Sequence, residues 1–358
     1  METNTIKLET SDERAAVETA VTVKLGLDVH AGQITVCRQN DGQVPKPAQR
    51  KSWPEFGRWV EALVKSGARV VSCYEAGPCG YGLHRQLTEL GITNYVVVPQ
   101  RWDEQGKRVK TDARDARELC DRLDRYERGN TEAFSVVKVP TPEQEQRRAV
   151  SRQRGRLVKE RQRCVVRGRG LMLGQGVQAP AGWWRPKAWA EFQAELPEWL
   201  RAQVQTWQAQ AVALEEQVER WSLRVEMQAA GQIVLKGVGQ LTTAVLAGEI
   251  LDWRRFQNRR QVASYTGLCP SEQSSGQRRR QGGVSKHGNP RVRHALVEAC
   301  WRLLQWQPDY PPLKKLRTAT GARARKRAVV AAARRLAIDL WRLNTGQCTA
   351  EKLGLKLR

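Results

Sequence analysis

The chain has 358 residues, 40% of them hydrophobic, which is enough for two or three domains with real cores. Lysine and arginine number 61 against 37 acids, a formal net charge of +24 that attracts a polyanion, nucleic acid first, through long-range electrostatics and counterion release. No apolar run approaches the roughly 20 residues that span a bilayer, and eight scattered cysteines without a C-x-x-C pair argue for buried free thiols over structural zinc.

The polar start METNTIKLETSDER has no signal-peptide core, so a cytosolic chain is expected. From Val21 to about Phe134 short β-rich runs alternate with helical ones. VTVKLGLDV and QITVCRQ flank Ala31 and Gly32 and predict a hairpin, while ARVVSCYE and NYVVVP predict buried strands. Helices fit Tyr81 to Leu90 and Asp112 to Tyr126. Strands first and helices interleaved later predict a mixed sheet covered on its faces, an α/β domain.

After Pro142 the composition shifts, with ten basic residues against one acid between Arg147 and Arg169, a net +9. Val150, Leu157, Cys164 and Leu171 recur every seven residues, so one narrow seam packs and the other faces stay cationic. The uniform sign favours a helix that tracks nucleic acid over one that is merely solvated, with Arg152, Arg156, Lys159 and Arg163 as candidate phosphate contacts. A second helix is predicted from Pro197, where Leu200, Val204, Trp207, Ala211, Leu214, Val218, Trp221 and Val225 alternate spacings of 4 and 3. That seam closes either on the preceding helix or on another subunit.

From about Gln232 compact helices are expected. LKGVGQLTTAVLAGEI sets Lys236, Gly237 and Gly239 between two apolar stretches, as in a helix-hairpin-helix whose turn aims helix N-terminal amides at a phosphate. CPSEQSSGQRRRQGGVSKHGNPRVRHAL, from Cys269 to Leu296, then places two serines before a glycine and strings Arg278, Arg279, Arg280, Lys286, Arg291 and Arg293 behind them. A hydroxyl in so basic a loop suits attack on a phosphodiester, and helix N-terminal amides near Asn289 are candidate phosphate donors; the alternative is a serine in an ordinary turn. NPRVRHALVEACWRLLQW and GARARKRAVVAAARRLAIDLWRL predict helices with apolar packing faces.

Four acids are oddly placed. Asp28 ends LGLDVH, Glu75 ends VVSCYE, and Asp112 and Asp115, three apart on one helical face, open the helix of KTDARDARELC. A helix-start acid is ordinarily a cap or dipole partner, but a carboxylate ending a buried strand needs a compensating charge. In a protein that binds polyanions, carboxylates repel the substrate unless divalent ions intervene, and Mg²⁺ suits oxygen ligands and bridges them to phosphate. The combination predicts a metal-dependent phosphoryl-transfer site of ribonuclease-H-like type.

GLDVH, YEAGP, KTDARDA, KGVG and YTGLCPSEQSSG…GGVSKHGNPRVRHAL, in this order from about Val23 to Ala337, together resemble the DEDD transposases of bacterial insertion sequences, the IS-one-ten family with its IS-eleven-eleven subgroup. The resemblance implies a RuvC-like catalytic domain over 21–140, a basic and coiled-coil middle over 141–230, and a mainly α transposase domain over 231–345 that supplies a catalytic serine. It further implies a DNA recombinase guided by a structured noncoding bridge RNA, acting through a 5′-phosphoserine-type intermediate. Asp28, Glu75, Asp112 and Asp115 would be the Mg²⁺ ligands and Ser275, directly before glycine, the nucleophile, with Ser274 as the neighbouring alternative. A homo-oligomer, dimeric or tetrameric in the recombination complex, and a cytoplasmic, nucleoid-associated location follow from the same resemblance. One departure is visible: family members often carry a lysine shortly after the first aspartate, whereas here the run is Val29-His30-Ala31-Gly32. Two rival readings are a Holliday-junction-like nuclease that activates water with the quartet, and a non-catalytic nucleic-acid-packaging protein for which charge suffices.

Overall fold

In the computed structural model, which describes residues 21–99, 111–275, 278 and 280–358, the chain forms two units that divide between Val139 and Pro140. The first is built on β1 (Thr22–Val29) and β2 (Ile34–Asn40), the expected antiparallel hairpin, with β3 (Gln49–Lys51) added at the β2 edge. Helix α1 (Trp53–Lys65) leads to β4 (Arg69–Glu75), which runs parallel to β1, and α2 (Gly82–Glu89) leads to β5 (Thr93–Val97), parallel to β4. The sheet order is β3-β2-β1-β4-β5. Helix α3 (Asp112–Glu127) completes the unit.

Strand alternation decides which face each helix covers. Val23, Leu25 and Leu27 of β1 and Val70 and Tyr74 of β4 form one core with Phe56 and Val60 of α1 and Leu83 and Leu87 of α2. The opposite face, through Val71 and Cys73, packs on Leu119 and Leu123 of α3. Here Gly26 is required: a Cβ on it would lie 2.2 Å from the Ala116 carbonyl and 2.4 Å from the Cys120 nitrogen, so the α3 backbone rests directly on β1. A buried ion pair between Lys24 Nζ and Asp124, 2.5 Å, ties the same two elements.

In the second unit, α4 (Pro142–Leu173) and α6 (Glu198–Met227) are joined through α5 (Pro186–Phe192) and run antiparallel. Arg154 Nε donates to Ser222 Oγ at 2.7 Å, Arg161 pairs with Glu215, and Cys164 meets Gln210, so rising numbers on one helix meet falling numbers on the other. Leu200, Val204, Ala211, Val218 and Val225 are buried within the chain, as are Leu157 and Cys164 opposite. The heptad seam thus closes inside the chain, the first of the two alternatives.

The remaining elements are α7 (Gln240–Ile250), α8 (Arg259–Thr266), the short strands β6 (Pro270–Glu272) and β7 (Gln281–Val284), α9 (Pro290–Trp306), α10 (Lys314–Thr318), α11 (Ala322–Asn344) and α12 (Ala350–Leu353). Their core gathers Leu246 and Ile250 of α7, Val292, Leu296 and Leu303 of α9, and Leu336 and Leu340 of α11. Gly237, at φ +85°, lies against Trp306, where any side chain would collide with the indole. Before it, Leu235 bridges to Leu357, so the turn enters α7 from an extended segment where the Gly-x-Gly pattern suggested a helix. All eight cysteines are free and five are buried, as expected for packing residues. Among the described residues no helix is long and apolar enough to cross a membrane.

Candidate active site

Two acids reach the site through strand register. Leu27 of β1 lies opposite Tyr74 of β4 in the parallel pair, so the next residues, Asp28, one before the end of β1, and Glu75, the last of β4, stand at one level. Alternation turns both toward the face that carries α3. Asp112 and Asp115 stand in the first turn of α3, whose N-cap is Thr111, its hydroxyl accepting from the Arg114 amide at 3.4 Å. The cap is therefore not Asp112, and the ordinary role of a helix-start acid falls to its neighbour.

His30, on the β1–β2 turn, lies between the two elements. Its Nε2 is 3.0 Å from Asp28 Oδ2 and 3.7 Å from Asp112 Oδ1, and ligand atoms of the three residues all lie within 4.8 Å of one another. Arg50 approaches Asp112 from β3, with guanidinium to carboxylate 3.6 Å. Burial pushes the Asp28 carboxyl above its ordinary range; the hydrogen bond and charge of His30 oppose this, and the negative charges of Asp112 and Asp115 add to it. The carboxylates of Asp28 and Asp112, converging with His30 within 4.8 Å, form a donor set that fits a small divalent cation; Glu75 and Asp115 stand at the same strand level and in the same helical turn but outside that cluster.

The serines sit on the β6–β7 hairpin in the other unit. Gln273 donates to the Arg280 carbonyl at 2.9 Å, and Ser275 and Arg278 exchange both backbone hydrogen bonds at 3.1 Å, which carries the ladder to the tip. Ser275 is exposed there, as are Arg278, Arg280 and Lys286; Gly276 and Arg279 lie outside the described residues. Ser274 Oγ donates to Glu272 Oε1 at 2.8 Å, so the hydroxyl of the alternative serine is held by a carboxylate. Two of the α9 amides expected to donate to a phosphate are taken by the N-cap: Asn289 Oδ1 accepts from Arg291 and Val292, at 3.0 and 3.3 Å.

A feature that sequence reasoning missed lies behind this hairpin. Glu249 of α7, its side chain fully buried, takes both hydrogen bonds of the Arg152 guanidinium at 3.0 Å and a third from Asn289 Nδ2 at 3.0 Å. Arg148 is 3.5 Å and Arg291 3.7 Å from the same carboxylate, and Tyr265 donates to the Glu249 carbonyl at 2.6 Å. Arg152 and Arg291, candidates for nucleic acid, thus hold α4 and α9 to α7, and Arg293 donates to the Thr266 and Lys286 carbonyls at the base of the hairpin. Arg156, Lys159 and Arg163 remain exposed on α4, with Arg163 paired to Glu160 on its own helix. Lys236 is exposed, its amide bound to the Lys356 carbonyl at 2.9 Å, and Gly239 is the N-cap of α7.

The family described as "Transposase IS116/IS110/IS902 family" matches residues 234–314, from the strand bridge before α7 to the start of α10. The chain is 34% identical over 329 residues to y4rJ of Sinorhizobium fredii, a transposase by name, covering 83% of this chain and 81% of that relative. It is 27% identical over 307 residues to the transposase of insertion sequence element IS1111A of Coxiella burnetii, covering 78% and 79%, and 25% identical over 272 residues to that of IS1328 of Yersinia enterocolitica, covering 73% and 79%. The chain belongs to the IS116/IS110/IS902 family of insertion-sequence transposases. Transposases cut and rejoin DNA, which makes DNA its substrate.

Proposed function

We propose that this transposase is a DEDD-type, bridge-RNA-guided serine recombinase, with residues 21–140 as a RuvC-like catalytic domain, 141–230 as a basic helical middle, and 231–345 as the domain that presents the nucleophile. The observation that supports the reading is the approach of Asp112, with Asp115 in the same helical turn, to Asp28 on β1, while Glu75 stands on the neighbouring strand β4 at the level of Asp28. The strand order β3-β2-β1-β4-β5 is compatible with a ribonuclease-H-like sheet.

Asp28, Glu75, Asp112 and Asp115 would hold Mg²⁺, which when bound supplies Lewis-acid stabilisation of charge on phosphate oxygens. Ser275 Oγ attacks the phosphorus of a DNA phosphodiester; its bond to phosphorus forms as the bond to the 3′-oxygen breaks, leaving a 5′-phosphoserine and a free 3′-hydroxyl. Attack by a 3′-hydroxyl of the exchanged strand reverses these steps and regenerates the serine, so one phosphodiester is made for each one broken. Arg278, Arg280 and Lys286, exposed on and below the hairpin, form a cationic cradle for the phosphate backbone, and Arg279, outside the described residues, keeps that role as a proposal from the sequence. Both serines are exposed, but Glu272 holds the Ser274 hydroxyl, which favours Ser275 as the nucleophile.

The exposed basic residues of α4 and the net +9 between Arg147 and Arg169 support an RNA partner, and the active assembly is proposed to be a homo-oligomer. The purified protein is expected to carry one discrete RNA from its own element, with binding that weakens steeply as salt rises, because many phosphates are neutralised. Sequencing of the co-purified RNA tests this. Random cellular fragments, with recombination persisting after ribonuclease treatment, would remove RNA guidance.

A further inference from the structure

We propose that His30 is a fifth ligand of the metal site, binding through Nε2, and that this nitrogen makes the site favour Mn²⁺ over Mg²⁺. The inference rests on the reading of the acidic quartet as a metal site and adds to it a residue outside that quartet. Its ground is geometric. The imidazole nitrogen faces Asp28 at 3.0 Å and Asp112 at 3.7 Å, one from a strand and the other from a helix. Ligands at right angles on an ion with bonds of about 2.1 Å stand about 3.0 Å apart, so the 3.0 Å between His30 and Asp28 suits a shared ion as well as a hydrogen bond.

The turn that presents the imidazole is built to hold still. The His30 amide donates to the Gln33 carbonyl at 2.9 Å, and the Trp53 indole of α1 donates to the carbonyls of both His30 and Ala31 at 3.1 Å. The ring itself is half exposed, so burial does not set its direction. Its partners among the described residues are the two aspartates. A side chain in water, on a pinned backbone, aimed between two carboxylates, is placed as a ligand is placed.

The chemistry then separates two ions. Mg²⁺ is a hard cation that takes oxygen and releases water reluctantly, whereas transition-metal ions accept a mixed nitrogen and oxygen set and bind it more tightly. Loss of a direct ligand should cost at least what loss of an outer partner does, about tenfold in affinity. His30→Ala is therefore expected to weaken Mn²⁺ binding about tenfold or more and to leave Mg²⁺ binding nearly unchanged.

The test is Mn²⁺ binding to the full-length protein by titration calorimetry, with pulsed electron paramagnetic resonance on the loaded sample and circular dichroism to verify the fold of each variant. Wild type should bind Mn²⁺ with ¹⁴N modulation from an imidazole. That modulation should vanish in His30→Ala, which still binds the ion more weakly, while Asp28→Asn loses the ion. Stoichiometric Mn²⁺ without ¹⁴N modulation in wild type, or modulation that survives in His30→Ala, overturns the role of His30 and leaves the carboxylate site standing. Failure of the wild type to bind Mn²⁺ overturns both.

Discussion

Glu75→Gln and Asp112→Asn are expected to reduce DNA cleavage by on the order of 10²–10³-fold or more, with folding and nucleic-acid binding nearly intact. Each substitution keeps the shape of the side chain and removes one negative charge from a site where Asp28 already feels Asp112 and Asp115. Removing like charge from such a crowd relieves repulsion in the free protein, so stability should hold or rise while the capacity to hold a cation falls. A cap residue would behave differently: its loss costs about 0.5–2 kcal/mol of stability and spares chemistry. In α3 that role belongs to Thr111, so Thr111→Ala is the control that should lower the melting temperature and leave the chemistry in place. Cleavage assays across a Mg²⁺ titration check the pair of variants. Wild-type rates for both at saturating Mg²⁺ would remove the metal site.

Glu249→Ala is expected to destabilise the second unit by about 3–5 kcal/mol, the usual consequence of breaking a buried ion pair from one side. It would remove the carboxylate that Arg148, Arg152 and Arg291 share, leave a cavity among them, and take away one of the two acceptors of Asn289 Nδ2, the other being the Tyr265 hydroxyl. Because Asn289 also caps α9 directly after the serine hairpin, the loss should reach the hairpin's base. Burial alone would raise the Glu249 carboxyl, but hydrogen bonds from Arg152 and Asn289 and the charges of Arg152 and Arg148 prevail and hold it below its ordinary 4.5. A depressed carboxyl contributes stability that is present above the unfolded value and is lost as pH falls through the folded one. Wild type should therefore lose stability progressively below about pH 4.5, with a steeper slope than Glu249→Gln. Denaturant unfolding of wild type and both variants across that range measures the difference. A loss under 1 kcal/mol in Glu249→Ala would mean that the cluster does not organise the unit.

What could be read from sequence depended on how local its cause was. The strands ending in Asp28 and Glu75 were legible because a buried run followed by an acid is a pattern within a few residues, and β1, β2, β4 and β5 form where those runs lie. Helix α1 was passed over although Ser52 and Glu55 form a capping box around Pro54, a start signal that was there to be found. The β6–β7 hairpin was hidden by glycines and arginines of low strand propensity; it is held by pairing across the loop. Arg152 and Arg291 read as free cations because Glu249, 97 and 42 residues away in sequence, looks like any acid on an apolar helix. Only the fold brings them together. His30 had the same difficulty in smaller form: it neighbours Asp28 in sequence, but Asp112 reaches it only once Gly26 lets α3 settle on β1.

The most direct test of the central claim is whether Ser275 becomes joined to DNA. Wild-type protein, with its RNA and Mg²⁺, is incubated with a suicide substrate whose released strand cannot return, and the products are resolved on denaturing gels and mapped by mass spectrometry. The account predicts a covalent adduct at Ser275 through a 5′-phosphate, absent in Ser275→Ala and retained in Ser274→Ala, whose hydroxyl is held by Glu272. An adduct that survives Ser275→Ala, or full cleavage with hydrolysed ends and no adduct, would contradict it and assign the chemistry to a nuclease that activates water.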